Sequence, residues 1–498
     1  MTQQSAGGDG NATEQKSEGG EVADEMQNDV SKQQNQGTDG TYTEVKVVTD
    51  KAYDYEEIKY ACMSVDSINT GENVPAALKD AVAQWNAERK TFTVSEYETA
   101  KSNARQDAQD APEYFYGPYE VYNDVYIKRS DSKVLSAQST YYGYYGGTHG
   151  SIVYTTRNWD AQTGAVISLD AVFPDRNKLI EVLAGKMDEK YPGIMLFAES
   201  SREALEEYFE ITDDSNVAWT LDYDGVTFYF SHYELAAYSE GVQRIKILYS
   251  EIPELFTQSY FTAAPADYIE QFETSMQTET DLDGDGIINN VTVVPFYSYE
   301  YDMFNRYQIM VDDTMLQVDA FCYDFKQYLI RQDGKTFLYV ERSVDSDGTE
   351  IDIYELSDQT ILPVSTEYFG IEYFTNPNYF VMRCRVDILG TYFGMMTARI
   401  GADGMPAYLE NDFKLLEYSI TSKVDLTVQT IDAGGNVTGE VVCPAGTVFV
   451  FDRTDGVSYM DMKLSDGTRC RITVEGSGTQ TVNGMNASDC FDGLIYAS

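Results

Sequence analysis

Beyond residue 290 the sequence is a succession of short apolar runs, at 291–297, 307–311, 328–331, 336–342, 350–356, 378–387 and 395–400. Asp333-Gly334 and Asp347-Gly348 separate neighbouring runs. Asp-Gly between two such runs marks a two-residue hairpin, because both central positions of that turn need positive φ. Such a segment can only become an antiparallel β domain. The 40 tyrosines of the chain point the same way, since an aromatic ring packs well on a pleated surface. Residues 419–498 repeat the pattern on a smaller scale. Val424, Leu426 and Val428 alternate, as do Met460, Met462 and Leu464, and Cys470, Ile472 and Val474 follow the Asp466-Gly467 turn. Five short strands with tight turns predict a small SH3-like barrel there.

The first half reads differently. Residues 1–41 are almost entirely Gln, Gly, Ser, Asp, Asn, Thr and Glu, too polar to build a core, and are expected to be a disordered tether. Strands are expected at 44–48, 53–67, 114–126 and 133–145. Pro75 opens a helix carrying Ala76, Leu78, Val82 and Trp85 near helical spacing, and a second helix is expected to start after Thr93 or Ser95 and end before Pro112. Further helices are predicted at 177–191, 202–209 and 265–276, and strands at 217–221, 225–230 and 242–249. The fold class is therefore α+β in the N-terminal half, antiparallel sheets with packed helices, followed by all-β domains. The expected divisions are 1–41, 42–140, 141–262, 263–418 and 419–498.

Charge narrows the partners. There are 35 basic and 82 acidic residues, a net charge of −47. Nucleic acid is excluded, because phosphate binding needs Lys and Arg to displace counterions. An anionic membrane surface is excluded by the same sign. A cationic partner is favoured, because opposite fields steer encounter. No run approaches the roughly 18 apolar residues of a membrane span, and no signal peptide is seen. Cys62, Cys322, Cys384, Cys443, Cys470 and Cys490 show no Cys-x-x-Cys spacing, so they read as buried thiols with at most one bridge, among the last three.

Catalytic signatures are missing. The only histidines, His149 and His232, stand too far apart in sequence for His-Glu-x-x-His. Ser130-Asp131-Ser132-Lys133 fits Ser-x-x-Lys, but in a polar turn. A carboxylate pair for glycoside hydrolysis has too many candidates to choose from. The chain is expected not to be an enzyme, with a cryptic wall hydrolase as one alternative. Asp281, Asp283 and Asp285 occupy positions one, three and five of a calcium-type loop, with Gly286 at six and Asn289 at nine. Thr292 stands where such a loop has its bidentate Glu, so calcium is suggested rather than required.

The most distinctive segment begins Tyr141-Tyr142-Gly143-Tyr144-Tyr145-Gly146-Gly147-Thr148-His149-Gly150. Strand alternation would place Tyr142 and Tyr144 on one face and Tyr141 and Tyr145 on the other. Three spaced motifs follow in order. They are Tyr144-x-Gly-Gly-x-His149, then Thr163-Gly-x-x-Ile-Ser-Leu-x-x-x-Phe173, then Phe230-x-x-Tyr-x-Leu-Ala-x-Tyr-x-x-Gly241. Together they resemble the extracellular domain of lysozyme-sensing anti-sigma factors of the RsiV type, which also occurs in peptidoglycan deacetylases of the PdaC type. Residues 42–140 are similar to the small α+β domain that precedes it there, and the resemblance covers about residues 42–260. Gly150 departs from the Pro or Asn frequent in that family. The resemblance implies an α+β platform whose loops hold a cationic protein ligand such as lysozyme. Tyr142, Tyr144, Gly146, Gly147 and His149 are the candidate contact residues. It also implies an extracytoplasmic location, with residues 1–41 as the tether of a lipoprotein whose lipidated cysteine was trimmed. The alternative is a structural or peptidoglycan-binding surface lipoprotein.

Overall fold

The computed structural model describes residues 41–52, 60–344, 348–357, 359–415, 418–476 and 478–496. The tether expected at 1–41 lies outside these save for its last residue, as do most of the first half of the strand expected at 53–67 and Asp347 of the second Asp-Gly turn. The fold class is as the sequence indicates, α+β first and all-β afterwards. The described chain forms two compact units, one of residues 37–386 with 393–413, the other of 387–392 with 414–498.

The larger unit opens with a five-stranded sheet, β1 (Val45–Ala52), β2 (Ala61–Thr70), β3 (Tyr119–Ser130), β4 (Val134–Tyr144) and β5 (Ser151–Asp160), in that order. Its β2–β3 pair is parallel, and the connection between these strands carries α1 (Ala76–Asp110). That helix is continuous, where two were expected. Buried Leu78, Val82, Trp85, Arg89, Thr93, Tyr97, Ala100 and Ala104 keep one helical stripe throughout. Thr93, expected to start a new helix, instead donates its hydroxyl to the Arg89 carbonyl at 2.8 Å and continues the turn. Trp85 meets Trp159 of β5 edge-on, with ring centroids 5.4 Å apart. Arg89 is buried in the same interface. It donates to Asn123, Ser139 and the Asp66 carbonyl, and burial lowers its pKa to about 10.

A second layer follows, with helices α2 (Arg176–Lys190) and α3 (Ser201–Ile211) and strands β6 (Ala218–Leu221), β7 (Gly225–Phe230) and β8 (Gln243–Leu248). Both helices start on a side-chain cap: Asp175 accepts from Lys178 N–H, and Ser200 from Glu203 N–H. Leu179, Leu183, Met187 and Leu205 pack on Trp219, Phe228 and Ile245 in one core.

The helix expected at 265–276 is a strand, β9 (Tyr268–Phe272). It adds to the edge of a sheet with β14 (Asp324–Gln332), β15 (Lys335–Ser343), β16 (Thr349–Ser357) and β17 (Thr360–Glu367). The hydrogen bonds offered by β14 override local helical spacing in so short a segment. Against this sheet packs another, β10 (Thr278–Thr280), β11 (Asn289–Ser298), β12 (Met303–Val311) and β13 (Thr314–Cys322). Ile269, Ile330, Phe337, Tyr339, Ile351 and Ile353 fill its other face with Phe380, Met382, Ala398 and Ile400. With both faces buried, the middle of β15 is a continuous apolar run, Phe337-Leu338-Tyr339-Val340. Asp333 and Gly334 both take positive φ, as a two-residue hairpin requires.

Where β3, β8 and β9 meet, charges are buried. Lys128 pairs with Glu270, Arg244 with Glu273, and Lys246 with Asp224 at 2.6 Å and Asp222 at 3.5 Å. Arg244 also donates to the Tyr154 hydroxyl at 2.6 Å.

The smaller unit is built of short antiparallel strands, among them Leu426–Ile431, Val437–Cys443, Val448–Thr454, Tyr459–Lys463 and Arg469–Thr473. Among the described residues their path ends at Val437–Cys443 without returning, so the segment expected to be an SH3-like barrel is an open sheet. Asp461 is buried and held by Arg453 Nε at 2.9 Å and Arg471 Nε at 2.6 Å. All six cysteines are free, buried thiols, and the bridge contemplated among the last three is not formed. Among the described residues no helix is long and apolar enough to cross a membrane.

Candidate functional site

The distinctive Tyr-Gly-His segment forms the end of β4 and the loop to β5. Strand alternation sends Tyr141 toward α1, where its hydroxyl meets that of Tyr145, and the Tyr145 hydroxyl donates to Glu96. Burial, aided by the nearby Glu96 carboxylate and opposed by the Tyr145 bond, pushes the Tyr141 phenol up to about 12. Tyr142 faces the other way and stacks on Tyr122, with centroids 6.1 Å apart. Tyr144 does not share its face. The strand ends at Tyr144, whose ring meets Tyr119 edge-on at 5.7 Å while its hydroxyl donates to the Gly147 carbonyl at 3.3 Å.

The glycines explain the loop. Gly146 and Gly147 take φ of +84° and +96°, a region that side chains disfavour. A Cβ on Gly146 would collide with the Tyr119 phenol, and one on Gly150 with the Tyr142 ring. Gly150 is thus the residue against which Tyr142 lies.

This turn delivers His149 to Tyr238, in the loop between β7 and β8. Their rings stack with centroids 3.5 Å apart and planes within 13°. His149 Nδ1 lies 3.1 Å from the Gly150 carbonyl, a contact in which the ring donates. The second histidine joins the same group, with the His232 ring 4.2 Å from Tyr238. His232 Nδ1 accepts from Ile152 N–H at 3.0 Å, so the neutral ring carries its proton on Nε2. Burial, then the neighbouring His149, lowers the His232 pKa. Both histidines of the chain therefore gather on one tyrosine.

Beside them the Leu196–Ala236 bridge and the bond from Phe197 N–H to the Leu235 carbonyl hold a second loop against 233–240. Met195, Phe197 and Tyr233 are exposed there, 68%, 63% and 56%. Sequence reasoning missed these three and the role of Tyr238. Tyr238 stands within the third motif, but only the tertiary fold shows what it stacks on.

The segment Ser130–Lys133 is a closed turn. Ser130 donates to the Thr43 carbonyl at 2.6 Å, while Asp131 pairs with Arg129 and accepts from the Lys133 and Val134 N–H groups.

Asp281, Asp283 and Asp285 do come together, each with an oxygen within 4.8 Å of the others, and they are the described residues that could hold a hard cation. Their carboxylates already serve the loop. Asp281 accepts from the Gly284 and Gly286 N–H groups at 2.6 and 2.9 Å, Asp283 from Asp285 N–H at 3.1 Å, and Asp285 from Ile287 N–H at 2.7 Å. Asn289 is bonded both to this loop and to the next turn. It is buried, accepting from Leu282 N–H at 3.1 Å and donating to Asp312 at 3.0 Å.

Comparison with known families places a DUF3298 domain, described as "Protein of unknown function (DUF3298)", at residues 174–250. These residues span α2 to β8. Among solved structures, a DUF3298-family protein of Bacteroides fragilis is 18% identical, with 44% of this chain and 95% of that chain covered and a TM-score of 0.32. One from Pseudomonas aeruginosa is 17% identical, with 45% and 97% covered and a TM-score of 0.28. No curated protein matches the chain.

Proposed function

We propose that this chain is an extracytoplasmic binding protein, lipid-anchored at the outer face of the bacterial cell membrane, that captures lysozyme or another cationic wall-active protein. The observation that carries the reading is the net charge of −47 together with the Tyr-Gly-Gly-x-His loop stacked on Tyr238. The charge attracts a basic partner over distance. The exposed apolar side chains of Met195, Phe197 and Tyr233 beside the loop supply a patch of the kind that interfaces use. The RsiV-type resemblance of residues 42–260 supports the same ligand class. The reading is of a binder and not an enzyme.

The test is calorimetric titration of the purified chain with a c-type lysozyme at low and physiological salt, with a charge-inverted lysozyme as control. One-to-one binding that survives physiological salt, and weakens at least tenfold in His149→Ala, supports capture. Binding that vanishes with salt reports charge alone. No binding to lysozyme together with retention on purified peptidoglycan would favour the wall-binding alternative.

A further inference from the structure

The turn between β11 and β12, far along the chain from the DUF3298 domain, displays aromatic rings to solvent. Tyr299 is 94% exposed, Phe321 54%, Tyr301 50% and Tyr297 44%. These rings are ordered in two edge-on pairs, Tyr297 with Tyr299 at 5.3 Å and Tyr301 with Phe321 at 5.4 Å. The turn holds them in place. The Tyr301 and Asp302 N–H groups both donate to the Ser298 carbonyl, at 3.2 and 2.9 Å, and Asp302 takes a φ of +56°. The Tyr297 hydroxyl donates to the Asp302 carboxylate across the turn. Tyr299 and Tyr301 of the turn and Phe321 of the adjoining β13 lie outside the core, and Tyr297 reaches it only through Phe304, while the core contacts of this sheet are made by Val291, Val293, Tyr307, Ile309 and Val311. Exposed apolar patches of this kind mark interaction surfaces.

Charge names the occupant. The tip carries the carboxylates of Glu300 and Asp302, and Arg306 is the one basic residue between positions 289 and 325. Its guanidinium lies over the Phe296 ring, 4.8 Å from the ring centroid, so an aromatic of this same hairpin already takes a cation on its face. Ring faces and carboxylates both attract ammonium and guanidinium groups, and neither attracts an anionic wall polymer.

We infer that the hairpin tip formed by Tyr297, Tyr299, Tyr301 and Phe321 with Glu300 and Asp302 docks a lysine- or arginine-bearing segment of a partner protein. This surface is separate from the loop around His149 and Tyr238, and it stands whether or not lysozyme binds there.

The test is titration of the full chain with a capped hexalysine peptide at physiological salt, followed by calorimetry. Tyr299→Ala with Tyr301→Ala leaves the net charge unchanged, so general attraction is preserved while the rings are lost. The expected result is binding at least tenfold weaker in this variant, retained in Tyr299→Phe with Tyr301→Phe, and unaffected by His149→Ala. Exposure of these side chains leaves the far-ultraviolet circular dichroism of both variants unchanged, and Phe321→Ala gives a second reading of the ring contribution. Equal affinity in the alanine variant would overturn the inference and leave bulk charge as the cause. Binding of an N-acetylglucosamine oligomer that hexalysine does not displace would overturn it in favour of a glycan platform.

Discussion

The first sheet treats polar groups in opposite ways at two places. At the end of β4, His149 stacks on Tyr238 at the surface, and the loop is held by positive-φ glycines and ring contacts. Where β3 meets β8 and β9, Lys128, Arg244 and Lys246 are buried against Glu270, Glu273, Asp222 and Asp224. The first arrangement leaves side chains available to a partner. The second uses every charge internally. A buried charge must keep its partner, whereas an exposed stacked ring can exchange one contact for another.

The largest expected effect lies in the buried seam. Glu273→Ala leaves Arg244 without its carboxylate and should destabilise the larger unit by about 3–5 kcal/mol in urea denaturation. Glu273→Leu with Arg244→Met, which removes both charges, should recover most of that loss. A double variant as unstable as the single one would mean that packing, and not charge, decides there. Asp281→Ala should be milder. It strips the acceptor from the Gly284 and Gly286 N–H groups in an exposed loop, at a cost of about 1–2 kcal/mol in the same assay. Tyr238→Ala should change stability by about 1 kcal/mol or less, as surface substitutions do. It should nevertheless shift the ring resonances of His149 and His232 and lower lysozyme affinity. Unmoved His149 resonances would break the stacking account.

The smallest effect is that of pH. His232 has a folded pKa below its ordinary value of about 6.5, so the unfolded chain takes up the proton first. Its contribution is therefore complete above about pH 6.5 and is lost as pH falls from there through the folded value. The urea midpoint should decline slightly over that window, and His232→Asn, which keeps an acceptor for Ile152 N–H, should remove that component. A decline of equal size in His232→Asn would assign it to other groups.

Local chemistry made much of this molecule legible in advance. The Asp333-Gly334 turn, the strand runs around it, the helices expected at 177–191 and 202–209, and the closeness of Asp281, Asp283 and Asp285 all follow from residues within a few positions of one another. Gly146 and Gly147 before His149 announced a tight loop for the same reason. What failed did so where distant segments compete with local preference. Residues 268–272 became a strand because β14 offers an edge, and Thr93 stayed inside α1 because the apolar stripe continues past it.

The sequence by itself determined the periodicity, the turns and the large negative charge, because backbone conformation and net charge depend on residue type and near neighbours. Only the tertiary structure decided that both histidines meet on Tyr238, that Arg244 finds Glu273, and that the terminal strands stay open. Each of these depends on which remote surfaces are brought together when apolar faces are buried, and spacing along the chain carries no record of that choice.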